Sequence, residues 1–302
     1  MNILTVLADP ILPVFGIIAV GYAMGRAGRT SIAEARLINR ISLTVFLPAL
    51  LFDLLANAPI HEFNMAAVLL YTSVQAIIFT MGFLLARRVF QRPADESVLL
   101  AFCGIFANNA FYVLPISLLL YGESGVLPIT TVLTMDTTVT FAGVMIALQL
   151  IKLGRVAPLE VVTTIGKTPL LYAIALGVIF SLARFEIPTP LQTFLDFNGV
   201  AAAPVALYAL GVVMSTTTFV IDRSIVTFTL VKLLLFPAVI WAGLRLFGLM
   251  EGDGALFLLG SAGPAGTMAF SLALLHGVRT DAIVMIMIFT SVLTLFTLAA
   301  LA

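Results

Sequence analysis

Residues 99–115 read Leu-Leu-Ala-Phe-Cys-Gly-Ile-Phe-Ala-Asn-Asn-Ala-Phe-Tyr-Val-Leu-Pro, an apolar stretch interrupted by Gly104, Asn108, Asn109 and Pro115. A helix here is expected to break. Pro115 has no amide hydrogen and disfavours the helical turn before it, which frees carbonyls near Phe111 and Tyr112. At membrane depth such backbone is tolerated only where it lines a cavity or is buried in protein.

A second interruption stands further along, at Gly260, Gly263, Pro264, Gly266 and Thr267. Pro264 lies 156 residues beyond Asn108. The same step carries Pro13, Ile18, Ala19 and Gly21 onto Pro169, Ile174, Ala175 and Gly177, Pro48 onto Pro204, and Gly104 onto Gly260, with no gap. Chance matches of Leu and Ala are expected in apolar sequence, so the register rests on the rarer Pro and Gly. Each copy holds five hydrophobic spans, and because five is odd the copies must run in opposite directions through a bilayer. Inverted repeats whose paired helices are interrupted by Gly or Pro mark secondary transporters, with a site near the midplane where the repeats meet. Two breaks at equivalent depth predict two crossing, discontinuous helices. Their half-helix N-termini bring partial positive charge to that midplane, where an anion or a carboxylate is stabilised. The plainer reading is that Gly and Pro ease packing, since both are frequent in membrane helices.

Composition agrees with a membrane protein. Of 302 residues, 61% are hydrophobic and 10% charged, against about 25% charged in soluble domains. A span needs roughly 20 apolar residues. Ten segments qualify, at about 5–25, 37–57, 65–87, 97–121, 126–150, 163–183, 194–216, 224–247, 254–276 and 280–301. They leave only short loops and no room for a soluble domain, and they divide the chain into repeats at 1–152 and 153–302. Asp9, Pro10 and Pro13 interrupt the first segment, which no basic run precedes; it is expected to be a span rather than a cleaved signal peptide. Of the 15 Lys and Arg, only Arg184 and Arg245 fall on one side and the other thirteen on the opposite side. The positive-inside rule makes the rich side cytoplasmic and puts both termini outside. The zero net charge and the absence of basic runs give no sign of nucleic-acid binding. A lone Cys103 within an apolar segment excludes an intramolecular disulfide and a cysteine metal cluster.

Asp136 lies mid-span in Leu-Thr-Met-Asp-Thr-Thr-Val-Thr-Phe (133–141), with Thr134, Thr137, Thr138 and Thr140 around it. Asp at a helix centre costs roughly 2.5–3.5 kcal/mol on insertion scales, so a functional role is the default reading. The carboxylate could compensate the half-helix ends, carry a proton, or ligate sodium together with threonine hydroxyls; the structural alternative is a neutral Asp bonded to a helix neighbour. Lys232 is expected to snorkel to the cytoplasmic interface. Asp53 suits an outer vestibule or headgroup water, His276 an interfacial anchor, and Gln75 and Ser291 routine polar packing between helices. No nucleophile elbow, paired metal-ligand histidines or Walker loop stands in the required context. Ser261, in Gly-Ser-Ala-Gly (260–263), has no base obviously placed, so an enzyme is not expected.

Four motifs then give the chain a likeness: Leu-Ile-Asn-Arg-Ile-Ser-Leu-Thr-Val-Phe-Leu-Pro-Ala-Leu-Leu-Phe (37–52), Asn-Asn-Ala-Phe-Tyr-Val-Leu-Pro (108–115), Ala-Ala-Pro-Val-Ala-Leu-Tyr-Ala-Leu-Gly (202–211) and Lys-Leu-Leu-Leu-Phe-Pro (232–237). In this order, over essentially the whole length, the sequence resembles the auxin efflux carrier family, with its plant auxin exporters and bacterial malonate-type carriers. The resemblance implies an all-α membrane protein of ten transmembrane helices, as two inverted five-helix repeats with crossed, broken helices 4 and 9, similar to sodium/proton antiporters and bile acid transporters. It implies a scaffold of helices 1, 2, 6 and 7, often a homodimer interface, and a moving unit of helices 3–5 and 8–10. The family's asparagine and proline at the first crossover match Asn108, Asn109 and Pro115. The asparagine that many members carry in helix 9 has no counterpart in Gly263–Met268, where Thr267 is the nearest substitute. The long cytoplasmic loop of some plant members is absent.

The resulting expectation is a secondary carrier in the cell membrane that moves a small organic anion by elevator-like alternating access. Asn108, Asn109, Pro115, Gly263, Pro264, Gly266 and Thr267 are the expected substrate residues, and Asp136, Thr137 and Thr140 the expected ion-coupling residues, with sodium or a proton as the coupling ion and no other cofactor. The alternatives are a sodium/proton antiporter with Asp136 as its only cargo site, and a membrane sensor that binds without flux.

Overall fold

The computed structural model describes residues 3–154, 168–217 and 221–301, and those residues are helical almost throughout. The helices are α1 (Ile3–Arg26), α2 (Ile32–Ala56), α3 (Met65–Arg88), α4 (Ala94–Ile105), α5 (Leu114–Tyr121), α6 (Val126–Leu153), α7 (Pro169–Ala183), α8 (Thr189–Met214), α9 (Arg223–Leu246), α10 (Gly254–Ala262), α11 (Met268–His276) and α12 (Asp281–Leu301). They fall on the apolar segments read from the sequence, save that residues 163–167 of the sixth segment lie outside the described residues, as do Arg155 and Lys167. Among the described residues, α2, α3, α6, α8 and α9 are long and apolar enough to cross a membrane. The fourth and ninth segments are each split in two. None of the four pieces reaches across a 30 Å hydrocarbon core: α4 has 12 residues, about 18 Å at 1.5 Å per residue, and α5 has 8 beyond the five of the π turn that leads into it.

Local chemistry sets the helix starts and the irregular turns. Ser31 and Glu34 form a reciprocal capping box at the head of α2, and the side chains of Asn64 and Asp222 accept from backbone amides in the first turns of α3 and α9. Hydrogen bonds from Ser31 hold the Glu34 carboxyl below its ordinary range. Three π-helical turns, Ser42–Phe46, Asn109–Val113 and Val231–Leu235, each end two residues before a proline: Pro48, Pro115 and Pro237. The proline cannot donate to the carbonyl four residues back. The residue before it instead reaches five residues back: Leu47 to Ser42, Leu114 to Asn109, Phe236 to Val231. A fourth π turn, Asp136–Phe141 in α6, has no such proline.

Packing echoes the repeat. α1 lies along α8 and α7 lies along α2. A Cβ added to Gly21 would collide with the Tyr208 carbonyl and come within 3.2 Å of the Gly211 Cα; one added to Gly177 would lie 2.7 Å from the Leu55 Cβ and 3.0 Å from the Phe52 carbonyl. The 156-residue step that turns Gly21 into Gly177 also turns Phe52 into Tyr208 and Leu55 into Gly211. Small residues are what let membrane helices approach so closely. Large apolar side chains such as Val20, Leu69, Ile77, Ile179 and Phe197 stand exposed on the outer faces, a surface suited to lipid rather than water.

Candidate functional site

The two helix breaks meet. After α4 the chain extends through Phe106 and Asn108; after α10 it extends from Gly263. Ala107 and Ala265 then pair antiparallel, the Asn108 N–H donating to the Pro264 carbonyl at 2.9 Å and the Gly266 N–H to the Phe106 carbonyl at 3.0 Å. Pro264 has no N–H to strand, and the Ala265 N–H finds the Thr290 hydroxyl of α12 at 3.1 Å. Unwound backbone in an apolar surrounding is thus satisfied by the other break and by one hydroxyl, as it must be where water is absent. The approach needs Gly266, since a Cβ there would sit 2.5 Å from the Phe106 ring.

A cavity of about 50 Å³ lies against this junction. Asn108, Asn109, Thr137, Gly266 and Thr267 line it, facing Leu50, Leu51 and Leu54 of α2. Five of the expected residues therefore share one wall. Gly263 and Pro264 belong to the junction but not to that wall: Gly263 packs against Val113 and Ala107, and Pro264 contributes its carbonyl. Pro115 lies in the first turn of α5, and its side chain is outside the described ones.

Asp136 stands directly behind the wall, fully buried. The Asn109 amide donates to one carboxylate oxygen at 2.8 Å and the Gln75 amide to the other at 2.6 Å. The Gln75 carbonyl oxygen in turn accepts from the Thr140 hydroxyl at 2.9 Å. One continuous network thus joins cavity, first break and α3. Thr138 turns away to bond the Thr134 carbonyl. Within the same interior, Asn109 Oδ1 and the hydroxyls of Tyr71, Tyr112 and Thr134 have no hydrogen-bond partner among the described residues. Of these, Asn109 lies on the cavity wall, where a polar ligand or water could satisfy it.

The sequence misplaces Lys232. Far from snorkelling, it is fully buried, and its ammonium donates to the Ser261 carbonyl at 2.9 Å, at the end of α10. Hydropathy cannot reveal this, because the partner is a helix-end carbonyl 29 residues further along the chain. Gln75 was equally legible only as packing, because a single glutamine in a span carries no spacing signal; the structure makes it a bridge between Asp136 and Thr140. Asp53 accepts from Gln192 of α8 at 2.6 Å. Cys103 is buried in the main apolar cluster, consistent with a packing role, and the Ser261 hydroxyl bonds back to the Leu258 carbonyl.

Comparison with known proteins places the chain in a family. The sequence model of a family described as "Membrane transport protein" matches residues 6–302. The chain belongs to that family. It is the same family as the auxin efflux carriers whose motifs the sequence carries. Similar proteins include a "Putative malonate transporter" of Rhizobium meliloti (strain 1021), 28% identical over 94% of this chain and 92% of that protein. An "Uncharacterized transporter YfdV" of Escherichia coli (strain K12) is 25% identical over 87% of this chain and 86% of its own length. An "Uncharacterized transporter" of Methanothermobacter thermautotrophicus is 23% identical, with 96% and 95% covered. The chain is a membrane protein of a transporter family.

Proposed function

We propose that the protein is a secondary transporter of a small organic anion, of the dicarboxylate class that the name of the Rhizobium relative indicates, and that it works by elevator-like alternating access. The observation that carries this reading is the Asp136–Asn109 bond: an ionisable group buried in the apolar interior is tied by a single hydrogen bond to the wall of the cavity at the two breaks. Substrate occupancy and the state of Asp136 are thereby linked through one amide. The substrate sits against Asn108, Asn109, Gly266 and Thr267, whose amides, hydroxyl and helix starts favour a negative group. The coupling ion, a proton or sodium, is handled at Asp136.

The remaining organisation follows the family plan. Residues 1–152 and 153–302 form two inverted five-helix halves. The reciprocal contacts of Gly21 and Gly177 support that symmetry. α1, α2, α7 and α8 make the scaffold, which pairs with a second copy in the plasma membrane with both termini outside. The other helices, carrying the two breaks, make the moving unit.

The test uses purified protein. A ligand that binds only the folded state raises its thermal midpoint. Malonate is expected to do so, and proteoliposomes are expected to accumulate labelled malonate against its gradient when an ion gradient is imposed. Asp136→Asn is expected to fold and to lose that accumulation. Ion exchange without any carboxylate flux would replace the proposal with a sodium/proton antiporter; binding without flux would replace it with a sensor.

A further inference from the structure

Lys232 is placed as a free metal ion would be. Its ammonium meets two features that attract cations: the Ser261 carbonyl at the end of α10, 2.9 Å away, and the face of the Phe236 ring, with its centroid at 4.9 Å; Asp136 lies beyond direct ion-pair contact but near enough to act on it through its charge. Each has a reason to be there. The last carbonyls of α10 have no next turn to bond, because the helix stops at Ala262, and they form the negative end of its dipole. An aromatic face attracts a desolvated cation. Asp136 takes amide donors on both oxygens, the pattern that favours its ionised form. An unpaired ammonium at this depth would be strongly unfavourable, so the lysine and its surroundings stabilise one another.

We infer that Lys232 is the built-in cation of the crossover: a positioning residue whose ammonium caps the broken end of α10 and balances Asp136, holding both breaks in register with no bound metal ion at that point. This deepens the transport reading by naming what holds its site together. It is tested by unfolding rather than flux, so its failure would leave organic-anion transport standing, and the reverse.

The experiment is chemical rescue. Lys232→Ala removes the atoms that n-propylammonium carries. In choline chloride the thermal midpoint of Lys232→Ala is expected to fall by about 6 °C or more below that of the unsubstituted protein. Adding n-propylammonium chloride is expected to recover at least half of the fall in a saturable way while leaving the unsubstituted protein unmoved. An unchanged midpoint in Lys232→Ala, or an equal rise in both proteins, overturns the inference. Should Lys232→Ala not fold, Lys232→Met, which fills the volume without the charge, is compared with Asp136→Asn/Lys232→Met. The double variant is expected to melt higher, because removing the second charge ends the imbalance. A double variant that melts at or below Lys232→Met overturns the inference as well.

Discussion

Replacing Asn109 with leucine tests the link between cavity and carboxylate. Asn109 is 1% exposed and gives Asp136 one of its two hydrogen bonds, at 2.8 Å, the Gln75 amide giving the other. Leucine keeps the volume and removes the donor. A hydrogen bond to a charged group contributes about 1.5–3 kcal/mol. At roughly 1.4 kcal/mol per factor of ten, the loss corresponds to about 10- to 100-fold in any step that needs Asp136 held against the wall. Uptake of labelled malonate into proteoliposomes, at concentrations below saturation, is expected to fall by that factor. The thermal midpoint of the same preparation separates lost function from lost fold. Asn109→Ser, which retains a donor, is expected to lie between the two. Uptake by Asn109→Leu within twofold of the unsubstituted protein would refute the claim that this bond joins the cavity to the ion site.

Other expectations follow from the close packing and from the surface. Gly21→Ala and Gly177→Ala each push a methyl into backbone of the facing helix and are expected to cost about 1–3 kcal/mol apiece, read as matched drops in thermal midpoint; a drop in only one would count against the symmetry. Gly266→Ala forces the Phe106 ring aside and is expected to abolish uptake with less effect on the midpoint, since the rest of the fold is untouched. At the N-terminal end of α9, burial raises the Asp222 carboxyl, but the Ser224 hydroxyl, the Ile225 amide and Arg92 together hold it below the ordinary range. A depressed carboxyl contributes stability that is complete above its unfolded value of about 3.9 and is lost as pH falls through the folded one. Acidification from pH 7 to pH 3 is therefore expected to lower the midpoint less in Asp222→Asn than in the unsubstituted protein.

What could be read from sequence was whatever leaves a mark in composition or spacing. The run from Gly260 to Gly266 announces the second interruption because Gly and Pro act through backbone geometry, which needs no partner to predict; at the first, Pro115 is expected to break the helix before it, whereas the chain unwinds earlier, at Phe106–Asn108, and Pro115 only widens the turn Asn109–Val113. Asp136 stands out because ionisable groups deep in apolar segments are expensive. Gln75 and Lys232 were misjudged for one common reason. Their roles depend on partners far along the chain, Asp136 at 61 residues from Gln75 and Ser261 at 29 from Lys232, which neither spacing nor hydropathy reveals. Thr290 is harder still, since its only distinction is to face an amide of the other break, Ala265, that has no sequence relation to it.

The π turn at Asp136 leads to a last expectation. The turns at 42, 109 and 231 have their cause in the chain, a proline six residues after the turn begins; the corresponding position after Asp136 is Ala142, which has an N–H and yet donates to Thr137, five residues back, and to Val139 rather than to the carbonyl four back. Nothing covalent requires the coil to widen there, so tertiary contacts must hold it. Gln75 is the contact that grips both ends of the turn, donating to Asp136 and accepting from Thr140 with opposite sides of one amide. π turns of this kind gather at functional sites, and one held from outside can relax when its grip is released, which is what the proposed alternating carrier would require of Asp136 as its coupling residue. Gln75→Leu is accordingly expected to speed amide hydrogen exchange over residues 136–142 while leaving the proline-bound turns at 42–46 and 231–235 as they were. Uniform exchange changes at all three, or none at 136–142, would mean that the turn is fixed by its own sequence and that Gln75 merely fills space.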